Sequence, residues 1–147
     1  MNTTEFLTIA SAICPERTAI IFEGKRYTFA ELNERTSRLA NALAALGVKN
    51  GDRVAMLQVN CNQYVEAYYA VAKLGAIFVP LNFRAKSDEL EYMLANCEAN
   101  ALFVGERYID MANSIRPKLD VVKNYICIES KPKGYMGYEE LLASASA

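Results

Sequence analysis

Histidine and tryptophan are both absent from this 147-residue sequence. Without an imidazole there is no Ser-His-Asp or Cys-His arrangement and no His-ligated zinc or iron site, which excludes much small-hydrolase chemistry. Glycine and proline are sparse, at 7 and 4 residues, and no phosphate-cradling loop is visible. Gly24-Lys25 is preceded by Ala19 where a P-loop places its first glycine, and Gly-x-Gly-x-x-Gly does not occur. Charge of one sign is lacking too: 16 basic against 17 acidic residues leave a net charge of −1. The basic residues form no block beyond Lys25-Arg26, so no nucleic-acid partner is expected. The four cysteines, Cys14, Cys61, Cys97 and Cys127, fit no Cys-x-x-Cys pattern. They read as reduced thiols acting as small hydrophobes in a cytoplasmic protein. No basic stretch leads into an apolar run at Met1, and no segment approaches about 18 unbroken apolar residues, so neither a signal peptide nor a transmembrane span is expected.

What is present is the composition of one ordinary globular domain, 52% apolar and 22% charged, long enough to bury a real core. Phe6, Ile9, Ala10 and Ile13 fall at i, i+3, i+4 and i+7, which predicts an amphipathic helix ending at Cys14 before Pro15. Residues 19–22 read as a short strand, and the turn chemistry of Glu23-Gly24-Lys25 makes a β-hairpin with the segment that follows. Thr28 and Glu31 have the spacing of a capping box, and Gly47 supplies a left-handed stop after Leu39, Ala42, Leu43 and Leu46.

From residue 53 onward strand and helix alternate: 53–59, 63–74, 76–79, 87–97, 101–104, 106–116 and 124–128. Alternation of this kind predicts an α/β fold with a mostly parallel sheet. Its strands are continuous apolar runs, as expected of strands covered by helices on both faces. Val65, Tyr68, Tyr69 and Ala72 form one candidate core stripe, and Leu90, Met93, Leu94 and Cys97 form another with the same spacing. A polar loop at 130–137 precedes a short helix at 139–143, and the tail 143–147 has nothing to bury and is expected to fray.

Candidate chemistry is thin. Asp88, Glu89 and Glu91 form one carboxylate cluster and Glu139 and Glu140 another, both in first turns of predicted helices, where they complement the helix dipole. Arg53 follows Gly51-Asp52, and a local polar turn between Asp52 and Arg53 is the expected arrangement. Arg84 stands apart. It follows Pro80-Leu81-Asn82-Phe83 beyond the carboxyl end of a predicted parallel strand, where ligands of open α/β sheets gather, and its forked donors suit phosphate. The alternative for Arg84 is an ion pair with Asp88 or Glu89.

Three blocks in order, Tyr27-Thr28-Phe29-Ala30-Glu31-Leu32, Leu46-Gly47-Val48-Lys49-Asn50-Gly51-Asp52-Arg53-Val54-Ala55 and Leu74-Gly75-Ala76-Ile77-Phe78-Val79-Pro80-Leu81-Asn82, resemble the opening of an adenylate-forming enzyme. The resemblance runs from about residue 16 to residue 142. It implies the N-terminal α/β portion, incomplete, of an AMP-binding large domain, and within that superfamily Pro80-Leu81-Asn82-Phe83-Arg84 is most similar to acyl-CoA synthetases. Such enzymes join a carboxylate to AMP with release of pyrophosphate and pass the acyl group to coenzyme A. The resemblance therefore implies ATP, Mg and CoA for the intact enzyme, a small carboxylic acid as substrate, and the remainder of that enzyme as this chain's partner. It places Arg84 toward the CoA nucleotide. The family's Pro-Lys-Gly loop, Thr-Glu pair, ribose-binding Asp and late lysine have no counterpart here, so no catalytic residue carries over and the chain alone is expected to be inactive. A sheet cut from a larger domain is also expected to self-associate. The other readings are a free-standing interaction module that kept the scaffold and lost the site, and an unrelated doubly wound binding domain.

Overall fold

The computed structural model describes residues 3–147, and its element order follows the alternation of the sequence. Helix α1 (Thr3–Ile13) leads into a hairpin of β1 (Thr18–Phe22) and β2 (Lys25–Thr28), then α2 (Phe29–Ala45). The parallel part comprises β3 (Arg53–Leu57), α3 (Asn62–Lys73), β4 (Ile77–Pro80), α4 (Ser87–Cys97), β5 (Ala99–Val104), α5 (Ile109–Ile115), β6 (Asn124–Cys127), β7 (Met136–Gly137) and α6 (Tyr138–Ala143). The two-residue β7 and the one-turn 3-10 helices on either side of α5 break what reads in sequence as one loop and one helix.

All pairings in the five-stranded sheet are parallel, in the order β4-β3-β5-β6-β7. Alternate strand residues feed two separate cores. Ala55, Leu57, Leu102, Val104, Tyr125 and Cys127 pack with Leu90 and Leu94 of α4 and Ala112 and Ile115 of α5. Val54, Met56, Ala101, Phe103 and Ile126 pack with Leu39 and Leu43 of α2, Ala67, Ala70 and Val71 of α3, and Tyr138 and Leu142 of α6. Because successive side chains point to opposite faces and both faces are buried, the central strands have to be apolar throughout. Edge strand β4 is the exception: Ile77 is 52% exposed, so helices do not cover it on both sides.

Local signals held at the helix ends. Glu31 N–H donates to Thr28 Oγ1 at 3.2 Å while Thr28 N–H donates to Glu31 Oε2 at 2.7 Å. Gly75 has φ +66°, so the backbone angle calls for glycine at the turn into β4, where a Cβ would meet only the exposed Asn50 side chain.

The expectations for α3 and Arg53 need correction, and the structure adds the orientation of α1 and the path of the tail. On α1 the larger apolar residues face away from the protein: Phe6, Ile9 and Ile13 are exposed, and Leu7 is the buried anchor. On α3 the buried face is Asn62, Glu66, Ala67, Ala70 and Val71 rather than the stripe through Tyr68, which is 41% exposed. Small alanines let α3 lie close on its neighbours, and Glu66 is buried because it is fully partnered, as described below. Arg53 does not pair with Asp52: its Nε donates to Cys97 O at 2.6 Å and its Nη2 meets Glu98 Oε2 at 2.5 Å, while Asp52 accepts from Lys49 N–H at 2.8 Å. The tail lies along α2, with Arg38 Nη1 donating to Ala145 O at 2.9 Å and Asn41 Nδ2 donating to Ser146 O at 2.8 Å.

Candidate functional site

The connections of the sheet reverse direction at β3. From β3 the chain crosses through α3 on one face to β4, then through α4 on the other face to β5, which pairs with β3 on its opposite side. In open α/β sheets the crevice at such a switch point, beyond the carboxyl ends of the strands, is where ligands bind. Here Gln58, the residue after β3, and Gly105, the residue after β5, face each other across it. A Cβ on Gly105 would lie 2.6 Å from Gln58 Cδ, so the bare backbone at this position makes room for the amide.

Gln58 is 3% exposed and ties three strand ends together. Its Nε2 donates to Glu129 Oε1 at 2.5 Å, and its Oε1 accepts from Val59 N–H at 2.8 Å. Glu129, just beyond β6, accepts from Glu106 N–H through Oε2 at 2.7 Å. Loops leaving β3, β5 and β6 are thus locked to one another at the floor of a cleft of about 430 Å³, whose walls include Lys25, Tyr27, Cys61, Gln63 and Arg107.

The side of the cleft toward α2 and α6 is built on a buried carboxylate. Glu66, 0% exposed, accepts from Arg35 Nε at 2.8 Å and Asn62 Nδ2 at 2.7 Å through Oε1, and from Arg35 Nη2 at 3.0 Å and Tyr138 Oη at 2.7 Å through Oε2. Arg35 also donates to both oxygens of Glu139, at 3.0 and 2.6 Å. Burial opposes the Arg35 cation, but the hydrogen bonds to Glu139 and Glu66 outweigh it and hold the guanidinium above its ordinary value. Burial, reinforced by the neighbouring Glu66 charge, pushes Tyr138 well above the usual tyrosine range. Arg35 therefore stays a cation and Tyr138 keeps its proton at neutral pH, and their hydrogen bonds to Glu66 make this side of the cleft a fixed wall. Cys61 gives the cleft no activated nucleophile, because burial raises its thiol and there is no imidazole to draw off its proton.

Arg84 lies elsewhere. It follows the edge strand and is exposed; its backbone N–H donates to Asn82 Oδ1 at 3.0 Å and its guanidinium carbon sits 5.6 Å from the Phe83 ring centroid. It is not among the residues lining the cleft. The expected alternative, an ion pair with Asp88 or Glu89, does not form among the described residues: Glu89 instead accepts from Lys86 N–H at 2.7 Å. Asp88 and Glu89 lie in the first turn of α4 and Glu139 and Glu140 in that of α6, as expected, whereas Glu91 lies beyond the first turn and pairs with Lys118; Glu139 and Glu140 also make ion pairs, with Arg35 and Lys131.

Sequence reasoning missed Gln58, Glu66, Glu129, Arg35 and Tyr138. A signal for Glu66 was available, since it sits among apolar residues at helical spacing, where a carboxylate is rarely buried without a cation. Nothing local marks Gln58 or Glu129, whose pairing spans 71 residues.

The AMP-binding enzyme family matches residues 8–144. Among curated proteins, the chain is 34% identical to a 3-oxocholest-4-en-26-oate–CoA ligase of Rhodococcus rhodochrous over 99% of its own length, and 35% identical to a long-chain-fatty-acid–CoA ligase of Thermus thermophilus over 97%. In each case it spans 27% of the relative. Among solved structures, the anthranilate CoA ligase AuaEII in complex with anthranoyl-AMP superposes with a TM-score of 0.96 at 27% identity, covering 99% of this chain and 28% of that one. A long-chain-fatty-acid CoA ligase described as putative, from Rhodopseudomonas palustris, gives 0.93 at 32% identity, covering 99% and 36%. The alternation of the sequence, the two-sided parallel sheet and these matches agree: the chain belongs to the AMP-binding enzyme family.

Proposed function

We propose that this chain is the amino-terminal scaffold of an AMP-forming acyl-CoA synthetase, which converts a carboxylic acid, ATP and CoA to acyl-CoA, AMP and pyrophosphate. The observation that supports the reading most is the extent of the likeness: CoA ligases at 34 and 35% identity align along 97 to 99% of this chain, while it spans 27% of their length. The residues present do not fit the triphosphate. A phosphate cradle needs converging backbone N–H groups on a glycine-rich turn, and no glycine lines the cleft. Among the described residues no group of three or more His, Cys, Asp and Glu side chains is placed to hold a metal ion. The groups that grip ATP are accordingly assigned to polypeptide beyond this chain, and the clamp of Gln58 and Glu129 to the rigid floor on which they act.

Two assays test this. The isolated chain shows no acid-dependent ATP–pyrophosphate exchange, whereas the complete product of its reading frame does; robust exchange by the chain, or none by the complete product with a panel of short, long and aromatic acids, overturns the reading. Arg84 is assigned to the phosphates of the CoA nucleotide, a role supported by its exposure and by the lack of an acidic partner for it among the described residues. In the complete product Arg84→Ala raises KM for CoA by about tenfold, the loss of one charge-assisted contact, and leaves ATP–pyrophosphate exchange unchanged. An unaltered KM for CoA removes Arg84 from the site. A cytoplasmic location suits the four free thiols, and no helix of the described residues is long and apolar enough to cross a membrane.

A further inference from the structure

Helix α1 presents its larger side chains to solvent. Phe6, Ile9 and Ile13, spaced i, i+3 and i+7, are 58, 49 and 77% exposed. The inward stripe, which packs on α2 and α3, carries Leu7 beside the small Ala10 and Ser11. Ser11 Oγ is itself committed inward, sharing its one proton between Leu7 O of the same helix at 2.7 Å and Phe29 O of α2 at 3.0 Å, so rolling the helix to bury the apolar stripe would break the bond to Phe29. The adjoining hairpin is a two-stranded sheet with Ile21 60% exposed, an arrangement only marginally stable without further packing.

The other exposed apolar edge is different. Strand β4 is four residues long and ends in Pro80, and its Phe78 is packed edge-on by Tyr64 and Tyr68 at centroid distances of 5.4 and 5.9 Å. That edge is blunted by its own residues, in the manner of natural sheet edges. Among the described residues the α1 face has no such cover, and its stripe carries no charge.

We propose that the outward face of α1 is the seat of polypeptide that follows Ala147 in the same reading frame, an apolar surface of the remaining enzyme packing over Phe6, Ile9 and Ile13. This rests on the ligase reading, and on the relatives' length, of which this chain accounts for 27%. A lipid surface is the poorer occupant: interfacial helices flank their apolar stripe with Lys and Arg, and α1 carries Glu5 in its first turn and no basic residue in its last. A second copy is poorer too, because three side chains supply far less than the ~800 Å² per partner of a stable interface. Covalently attached chain needs no such area, since its effective concentration is high.

Hydroxyl-radical footprinting of residues 4–17 decides the matter without a substitution, comparing the 147-residue chain, held at a concentration where light scattering reports a monomer, with the complete product. Oxidation of Phe6 and Ile13 is at least about tenfold slower in the complete product, as expected of a packed surface that opens rarely. Ile9→Glu then lowers the Tm of the complete product and leaves that of the chain unchanged. Equal oxidation in both proteins overturns the proposal. So does protection in the chain that follows its self-association down to the lowest concentration, which puts a second copy on the face, and so does a reading frame that closes at Ala147. Exchange activity is read separately: an active complete product with equal oxidation sinks the docking alone, and an inactive one with Phe6 protected sinks the ligase reading alone.

Discussion

Across the sheet from one another, α4 and α3 bury faces of opposite character. Helix α4 sets Leu90 and Leu94 into an apolar layer with α5, closed at its rim by Arg116, whose guanidinium lies 4.0 Å from the Tyr125 ring centroid and 5.2 Å from that of Tyr135. Helix α3 buries Asn62 and Glu66 and depends on α2 and α6 for the groups that satisfy them. The first face needs only volume, since any well-fitting apolar side chain stabilises it. The second needs particular partners, because a buried carboxylate that loses one of them is left with an uncompensated charge. The polar face is also the one that borders the cleft, so demanding partners and rigid geometry coincide where ligands of such sheets gather.

The largest expected effect tests that contrast directly. Arg35→Ala strands Glu66, whose side chain is 1% exposed, and costs about 3–5 kcal/mol, the range for breaking a buried ion pair. Leu94→Ala, at an equally buried position across the sheet, costs about 3 kcal/mol by transfer and cavity terms. Urea denaturation of the chain measures both. A cost for Arg35→Ala well below that of Leu94→Ala at neutral pH would break the comparison.

Where the faces meet, at the switch point, Gly105→Ala is expected to cost about 2 kcal/mol, in the range of overpacking a tight site, because its methyl collides with the Gln58 amide. Gln58→Ala removes the collision together with the bond to Glu129. The two substitutions are therefore strongly non-additive, and the double variant is less destabilised than the sum by about 1 kcal/mol or more. Additive costs from a double-mutant cycle would mean that Gln58 does not fill the crevice.

The same contrast explains what was legible in the sequence. The stripe of α4, the capping box at Thr28 and the apolar runs of the central strands are local patterns with local causes, and the structure reproduces them. Period alone could not orient α3, because Val65, Tyr68, Tyr69 and Ala72 keep helical spacing while the packing selects the small Ala67 and Ala70 and a carboxylate partnered 31 and 72 residues away. Helix α1 was read correctly as an amphipathic helix ending before Pro15, but the pattern does not say which body its apolar stripe serves. Arg84 was placed correctly beyond a parallel strand, yet the sequence does not reveal that this strand is the sheet's edge, since strand order depends on crossovers.

The smallest effect isolates one contact of the polar face. Tyr138→Phe keeps the ring against Phe103, 5.9 Å between centroids, and deletes only the hydroxyl that donates to Glu66. Glu66 keeps Arg35 and Asn62, so the loss is about 1.5 kcal/mol, the lower range for a hydrogen bond to a charged acceptor. Its pH dependence has a definite sign. Folding raises the Tyr138 pKa, so from about pH 10 upward the unfolded chain gives up this proton while the folded chain keeps it. The folded state then binds more protons than the unfolded one, and stability falls as pH rises. Phenylalanine has no proton to lose, so the difference between wild type and Tyr138→Phe shrinks between pH 8 and pH 10.5 as that of Leu94→Ala stays level. Urea midpoints for the three proteins at the two pH values measure it, and a Tyr138→Phe penalty that holds constant would place the hydroxyl outside the buried network.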